Sequence, residues 1–119
     1  TNDLIIAIGP AISGTKYQVR KEDIQPLLKT NYHKEIKTSK EDKNNFAKQQ
    51  AEPPLLIEDI DPQKVFLDIR IAAKRQLIKM GVRSEQIDFS SLCTYSNPDL
   101  FHSWRRDKKK SFQWSFISS

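Results

Sequence analysis

The sequence predicts an α+β domain in which short mixed strands pack on one long amphipathic helix. Three observations carry that expectation. Short apolar runs such as Leu4-Ile5-Ile6-Ala7-Ile8 and Ile87-Asp88-Phe89 are bounded by turn residues, as strands are. One stretch beginning at Asp61-Pro62 repeats apolar residues at three- and four-residue steps, the period of a helix. Strands and helices do not alternate as regular βαβ units, and there are no internal repeats, which favours α+β over a doubly wound sheet.

The first apolar run ends at Gly9-Pro10, and Ala11-Ile12-Ser13-Gly14 leads into Tyr17-Gln18-Val19, a second short strand. Glycines at 9 and 14 suit either close backbone approach to a ligand or positive φ in a turn. Their spacing matches neither a P-loop nor a dinucleotide fingerprint. Glu22 and Asp23 place acids at the start of a short helix ending near Leu28, where they suit the dipole. From about 30 to 60 the apolar pattern gives way to Lys, Glu, Asp, Asn and Gln, so this part reads as a charged, flexible insertion. Within it, Lys40 to Gln50 has the composition of a solvated helix.

Asp61 then supplies an N-cap, with Pro62 at the first helical position. Val65, Ile69, Ala72, Ala73, Leu77 and Met80 form the apolar stripe, and Gly81 closes the helix after Lys79. This stripe is read as scaffold against a sheet. Ile87 to Phe89 forms a short strand, and Phe112 to Ile117, with aromatics alternating with polar residues, reads as a final strand.

Composition bounds the function. With 119 residues the chain is one domain or part of one. Its net charge of +5 permits polyanionic or nucleotide partners without requiring them. Arg105, Arg106, Lys108, Lys109 and Lys110 stand against Asp107 alone, and hold most of that excess. Cys93 is the single cysteine, so no internal disulfide forms and a reducing, cytoplasmic setting is the default. No apolar run reaches the length of a membrane span, so no membrane partner is expected. The chain starts at Thr1 and is strand-like by Leu4, which reads as a segment beginning in mid-domain.

The stretch from Cys93 to Asp107 concentrates the chemistry: a thiol, an imidazole, three aromatics and a twin arginine around a turn at Asn97-Pro98. Guanidinium groups fork onto paired oxygens while neighbouring rings offer stacking faces, so Arg105 and Arg106 are candidates for a phosphate. Cys93 and His102 could meet as a nucleophile and base, although a buried structural thiol is the commoner state. His33 falls in the charged stretch. No zinc spacing, HExxH or GxSxG occurs. Trp104 followed by the basic run offers the alternative of a small nucleic-acid-binding module, with a short footprint.

Several of these residues occur in an order that resembles a known family. Ile8-Gly9-Pro10-Ala11-Ile12 with Tyr17-Gln18-Val19, then Leu67-Asp68-Ile69, Arg75-Gln76-Leu77 and Gly81-Val82, are similar to motifs of the YfiH family. Cys93-Thr94-Tyr95 and Phe101-His102-Ser103-Trp104-Arg105-Arg106-Asp107 resemble its C-terminal signatures. The family has been labelled laccase-domain or multicopper polyphenol oxidoreductase, and is now described as purine nucleoside phosphorylases. Ser13-Gly14-Thr15 departs from its loop, and His102 and Trp104 replace a Phe and a Tyr.

The resemblance implies the C-terminal part of a single YfiH-like domain spanning 1–119, with the insertion at about 30–60. It implies a zinc-dependent enzyme acting on adenosine, inosine or methylthioadenosine with phosphate, and capable of deaminating adenosine. Purine nucleoside and phosphate would be its small-molecule partners. Phosphate and substrate would meet Arg105, Arg106, Gly9 and Pro10, with Asp107 orienting an arginine. The family's zinc ligands lie in motifs absent from this sequence, so Cys93 is not equated with its catalytic cysteine. The alternatives are a non-catalytic half-domain that needs the N-terminal half as a separate chain, and the nucleic-acid module.

Overall fold

A computed structural model describes residues 3–28 and 52–118. Two small sheets share one core. Strand β1 (Ile6–Ile8) pairs in parallel with β5 (Ile87–Phe89), in the register Ile6 to Ile87, Ala7 to Asp88 and Ile8 to Phe89. Strands β2 (Gln18–Arg20), β3 (Leu56–Glu58) and β4 (Lys64–Leu67) form an antiparallel sheet in the order β2-β4-β3. A 3₁₀ turn over Lys21–Ile24 runs into α1 (Gln25–Leu28), in place of a single continuous helix. After β4 come α2 (Ile69–Lys79), then β5, and the one-turn α3 (Trp104–Asp107). The mixture of small sheets and short helices bears out the α+β expectation at that level.

The core is Leu55, Leu56, Val65, Leu67 and Ile71, with Tyr17, Val19, Ile24, Leu27, Ala72 and Phe89 packed around it. Ile71 is wholly buried, which stabilises the fold by about 2–3 kcal/mol relative to an exposed side chain. Leu55, Leu56 and β3 fall within the stretch read as a charged insertion. Residues 52–60 contribute a strand and two core leucines, because a short apolar run suffices to complete a sheet edge. Residues 29–51, with His33 and the solvated helix read over 40–50, lie outside the described residues.

The long helix is the largest correction. Lys64–Leu67 alternates between half-buried and buried, the two-residue period of a strand, and pairs on both sides. Asp61-Pro62 is the turn between β3 and β4 instead of a helix start. The Asp61 carboxylate accepts from the Gln63 amide at 2.9 Å, and its carbonyl accepts from Lys64 N–H. Val65 fits either period, which is why the stripe extended backward through it. The actual N-cap is Asp68, whose carboxylate accepts from the amides of Arg70 and Ile71.

The apolar stripe also shifts. Ile71 and the side chains of Arg70 and Lys74 face inward, whereas Met80 is exposed. Lys74 meets Glu52 at 2.8 Å, and both Arg70 and Lys74 lie over the Phe89 ring. Two cations on the inner face thus take positions that hydropathy assigns to solvent. The helix end matches its signal. Gly81 adopts φ +101°, its N–H donates to the Ile78 carbonyl, and the Val82 N–H donates to the Leu77 carbonyl. Those two bonds are a Schellman cap.

Gly14 is buried for a different reason. A Cβ there would stand 3.1 Å from Asp68 Cβ and 3.3 Å from Asp68 N. Its own amide donates to the Asp68 carboxylate at 3.4 Å. Arg70 closes the other side of that carboxylate through Nε at 3.1 Å and Nη2 at 2.9 Å. Asp68, with no exposed surface, therefore ties the start of α2 to the loop before β2.

The tail beyond α3 forms no strand with the described residues, so the expected strand from Phe112 to Ile117 is absent. Lys108, at φ 56°, ends α3, and the chain runs on extended and exposed. The Trp114 and Phe116 rings stack at 6.4 Å, two residues apart, as in a strand without a ladder.

Candidate functional site

The parallel pairing of β1 and β5 continues past both strands and joins the two motif-bearing loops. The Ser90 amide donates to the Ile8 carbonyl, Ala11 bridges to Cys93, and the Thr94 amide donates to the Ala11 carbonyl. Gly9 and Pro10 lie on one side of this seam, and Cys93 and Thr94 on the other. Gly9 is exposed and does not have positive φ; the nearest atom to a Cβ there would be the Ser115 hydroxyl at 3.9 Å.

Cys93 is buried and its sulfur accepts the Ser13 amide at 3.2 Å. Burial works to raise the thiol, but hydrogen bonds from Ser13 and Ser96, through side chain and backbone, override it and bring the group down to about 6. A thiolate held by backbone amides needs no histidine, and no bond joins Cys93 to His102. His102 is exposed, its amide donating to the Gln113 side chain. The nucleophile–base pairing considered from sequence therefore has no geometry to support it.

The twin arginines divide their work. Arg106 points inward and uses every N–H of its guanidinium. Nη1 donates to the carbonyls of Thr94 (2.8 Å) and Tyr95 (2.9 Å), Nη2 to the Phe101 carbonyl (2.8 Å) and Asp107, and Nε to Asp107. The Arg106 hydrogen bond holds the Asp107 carboxyl below the usual carboxylate range, against a smaller opposing effect of burial. Asp107 thus orients an arginine, as the sequence suggested. The Asn97 carbonyl accepts from the Leu100 and Phe101 amides, and its side chain donates to the Cys93 carbonyl at 2.7 Å, so the turn at Asn97-Pro98 stands where expected.

Arg105 points outward from the same turn of helix. Its guanidinium lies 4.9 Å over the Tyr17 ring and donates one hydrogen bond, from Nη1 to the Gln18 carbonyl at 3.2 Å. The stack fixes the plane of the fork and leaves its remaining N–H groups directed at solvent. Sequence reasoning missed Tyr17 as its seat and Ser13 as the donor to the thiol. Nothing local pairs residues so far apart; the signal for Tyr17 was its place in the YQV motif, and Ser13, just after GPAI, carried none.

Among the described residues no three His, Cys, Asp or Glu side chains converge on a point that a metal ion could occupy. Zinc and copper find no ligand set among the described residues. No described helix is long and apolar enough to cross a membrane.

The fold and motif order define a YfiH-like laccase-domain protein. Residues 1–118 match the family described as multi-copper polyphenol oxidoreductase laccase, and the chain belongs to it. The purine nucleoside phosphorylase slr1573 of Synechocystis is 34% identical over 98% of this chain and 44% of its own length. The purine nucleoside phosphorylase YlmD of Bacillus subtilis is 31% identical over 92% of this chain and 33% of its own. Among solved structures, the hypothetical protein YfiH of Bacillus licheniformis superposes with a TM-score of 0.60 at 27% identity, over 86% of this chain and 32% of that one. The chain thus spans less than half the length of these relatives.

Proposed function

We propose that this chain forms part of a purine nucleoside phosphorylase, with Arg105 as the residue that holds phosphate. Arg105 carries the reading: an exposed guanidinium, fixed in plane by Tyr17 and using one donor internally, seated on the Tyr17-Gln18-Val19 motif. In phosphorolysis a phosphate oxygen forms a bond to the anomeric carbon as the glycosidic bond to the purine nitrogen breaks. The bonding pair leaves with the base. A fixed cation lowers the cost of holding a dianion against the sugar, and a planar fork matches two phosphate oxygens.

Arg106 takes the supporting part. With its donors committed to three carbonyls and Asp107, it shapes the loop that presents Arg105 and Cys93. Gly9 and Pro10 would border the ligand through backbone alone. The substrates would be adenosine, inosine or methylthioadenosine, with adenosine deamination as a further activity. Zinc, if the whole domain uses it, is bound by residues other than those described. The family's copper-oxidase description would likewise need an imidazole cluster, and His102 is the one imidazole among the described residues.

The test is release of hypoxanthine from inosine by the family-length protein that contains this chain. Release that depends on phosphate and yields ribose 1-phosphate is expected. Release unaffected by phosphate would contradict the reading.

A further inference from the structure

Arg105 rests on strand β2 through two contacts, the Tyr17 ring under its plane and the Gln18 carbonyl at its Nη1. The ladder decides which way that carbonyl points. The Tyr17 carbonyl accepts from the Leu67 amide and the Lys21 amide donates to the Gln63 carbonyl, so alternate residues of β2 turn their backbone groups toward β4. Gln18, opposite Phe66 and out of step with that alternation, turns its N–H and C=O to the other side. That side is the outer edge of the sheet, where β2 has no neighbouring strand among the described residues. The seat of Arg105 is therefore an edge strand of three residues, held by ladder bonds on one side.

A second restraint crosses the sheet. Gln18 and Ile57 both stand opposite Phe66, so these three residues share one face, and Asp59 follows Ile57 just past the end of β3. The Gln18 side-chain amide reaches over β4 and donates to the Asp59 carboxylate, and both residues are half-buried. The other Asp59 oxygen accepts the Asp61 amide at 3.2 Å, which fixes the carboxylate on the β3–β4 turn. The Gln18 bond holds the Asp59 carboxyl below the usual carboxylate range, so at neutral pH it accepts as an ionised group. The bridge clamps the two outer strands across the central one. Its β2 end is the residue whose carbonyl holds Arg105.

We infer that Asp59 is a positioning residue for phosphate binding: through Gln18 it fixes the edge of β2 on which the Arg105 guanidinium lies. The inference rests on the phosphate role proposed for Arg105, and carries it into the stretch whose composition reads as a charged insertion. Asp59 itself touches no ligand. Its effect reaches phosphate through the placement of the fork, because bidentate pairing needs both N–H groups aimed at their oxygens.

The experiment measures phosphate KM, inosine KM and kcat for the family-length protein carrying Asp59→Ala, Asp59→Asn, Gln18→Leu or Arg105→Ala, with urea unfolding alongside. Asp59→Ala is expected to raise the phosphate KM about fivefold, as loss of one hydrogen bond predicts, with kcat at saturating phosphate and inosine KM changed by less than about twofold. Gln18→Leu keeps the carbonyl under Arg105, removes the bridge from its other end, and should match it. Asp59→Asn should recover most of the loss, since an amide pair keeps a hydrogen bond to Gln18. In the Arg105→Ala background, Asp59→Ala should add nothing.

A lower unfolding midpoint with unchanged phosphate KM in Asp59→Ala overturns the inference, because a residue that only stabilises the turn gives that result. So does a rise that persists undiminished in the Arg105→Ala background. Where Asp59→Ala does not fold, Gln18→Leu carries the same comparison. A rise for Arg105→Ala with none for Asp59→Ala removes this inference alone, whereas no rise for Arg105→Ala removes the phosphate reading and this inference with it. The Arg105 Nε–H resonance, assigned by its loss in Arg105→Ala, reports the seat without turnover. Asp59→Ala should shift or broaden it, and an unmoved resonance overturns the inference.

Discussion

The sulfur of Cys93 accepts the amide of Ser13 at 3.2 Å, a contact joining loops 80 residues apart in the chain. With the adjacent Ala11–Cys93 bridge, it ties the GPAI motif and the residue after it to the segment that ends in the twin arginine. The thiolate charge sits in a buried place and is held there by hydrogen bonds from Ser13 and Ser96.

That arrangement makes stability depend on pH. The folded thiol titrates at about 6 against an ordinary value of 9.0, so between them the unfolded chain binds more protons than the native one. Stability from this group is therefore complete above about pH 9, declines as pH falls, and is lost through about pH 6. The expected contribution is about 2–4 kcal/mol at alkaline pH. Denaturant unfolding at pH 6 and pH 8.5 checks it: the wild-type chain should gain stability on going up, and Cys93→Ser should lose most of that gain.

Asp68 is the strongest single stability determinant expected. Its removal leaves Arg70 buried without a counter-charge, and strips a cap from α2 and an acceptor from Gly14. Asp68→Ala should destabilise by about 3–5 kcal/mol, measured by urea unfolding.

Two glycines should fail for different reasons. Gly14→Ala would press a methyl against Asp68 at 3.1 Å and is expected to cost about 1–3 kcal/mol. Gly81→Ala meets nothing within 4 Å but inherits φ +101°, and should cost about 1 kcal/mol. Gly81→Asn, whose side chain tolerates that backbone region, should recover part of the loss, whereas Gly14→Asn should be worse than Gly14→Ala.

Much of the fold was legible where local chemistry is unambiguous. The apolar run around Ile6–Ile8, the strand at Ile87–Phe89, the turn at Asn97-Pro98 and the Gly81 cap each follow from a nearby signal. The errors arose where one residue type serves two periods. Val65 satisfies both a helix stripe and an alternating strand, and Asp-Pro opens either a helix or a turn. Only pairing with β2 and β3 decides for the strand. The aromatic alternation from Phe112 to Ile117 is strand-like in geometry, but a strand exists only where another chain segment completes its ladder. At the candidate site, the arginines and the Gly9-Pro10 pair were readable as residue types, although the chain continues the parallel pairing through that pair to Ala11 where a turn was expected. Which arginine faces inward was not, because the three carbonyls that capture Arg106 belong to a loop whose path the sequence does not specify.

Arg106 provides a test of that division. Arg106→Ala should release the carbonyls of Thr94, Tyr95 and Phe101 and speed amide exchange across 94–103 by about tenfold or more, a sign of local opening. Arg105→Ala should leave that exchange unchanged, since Arg105 makes a single hydrogen bond on the surface.

The most direct measurement is the phosphate KM for inosine phosphorolysis by the family-length protein carrying Arg105→Ala. Charge-assisted hydrogen bonds contribute about 1.5–3 kcal/mol, so the phosphate KM should rise by about 10- to 100-fold, with the inosine KM changing little. Arg105→Lys should recover part of the loss, and Tyr17→Leu should raise the same constant more modestly. A phosphate KM unchanged in Arg105→Ala would contradict the account.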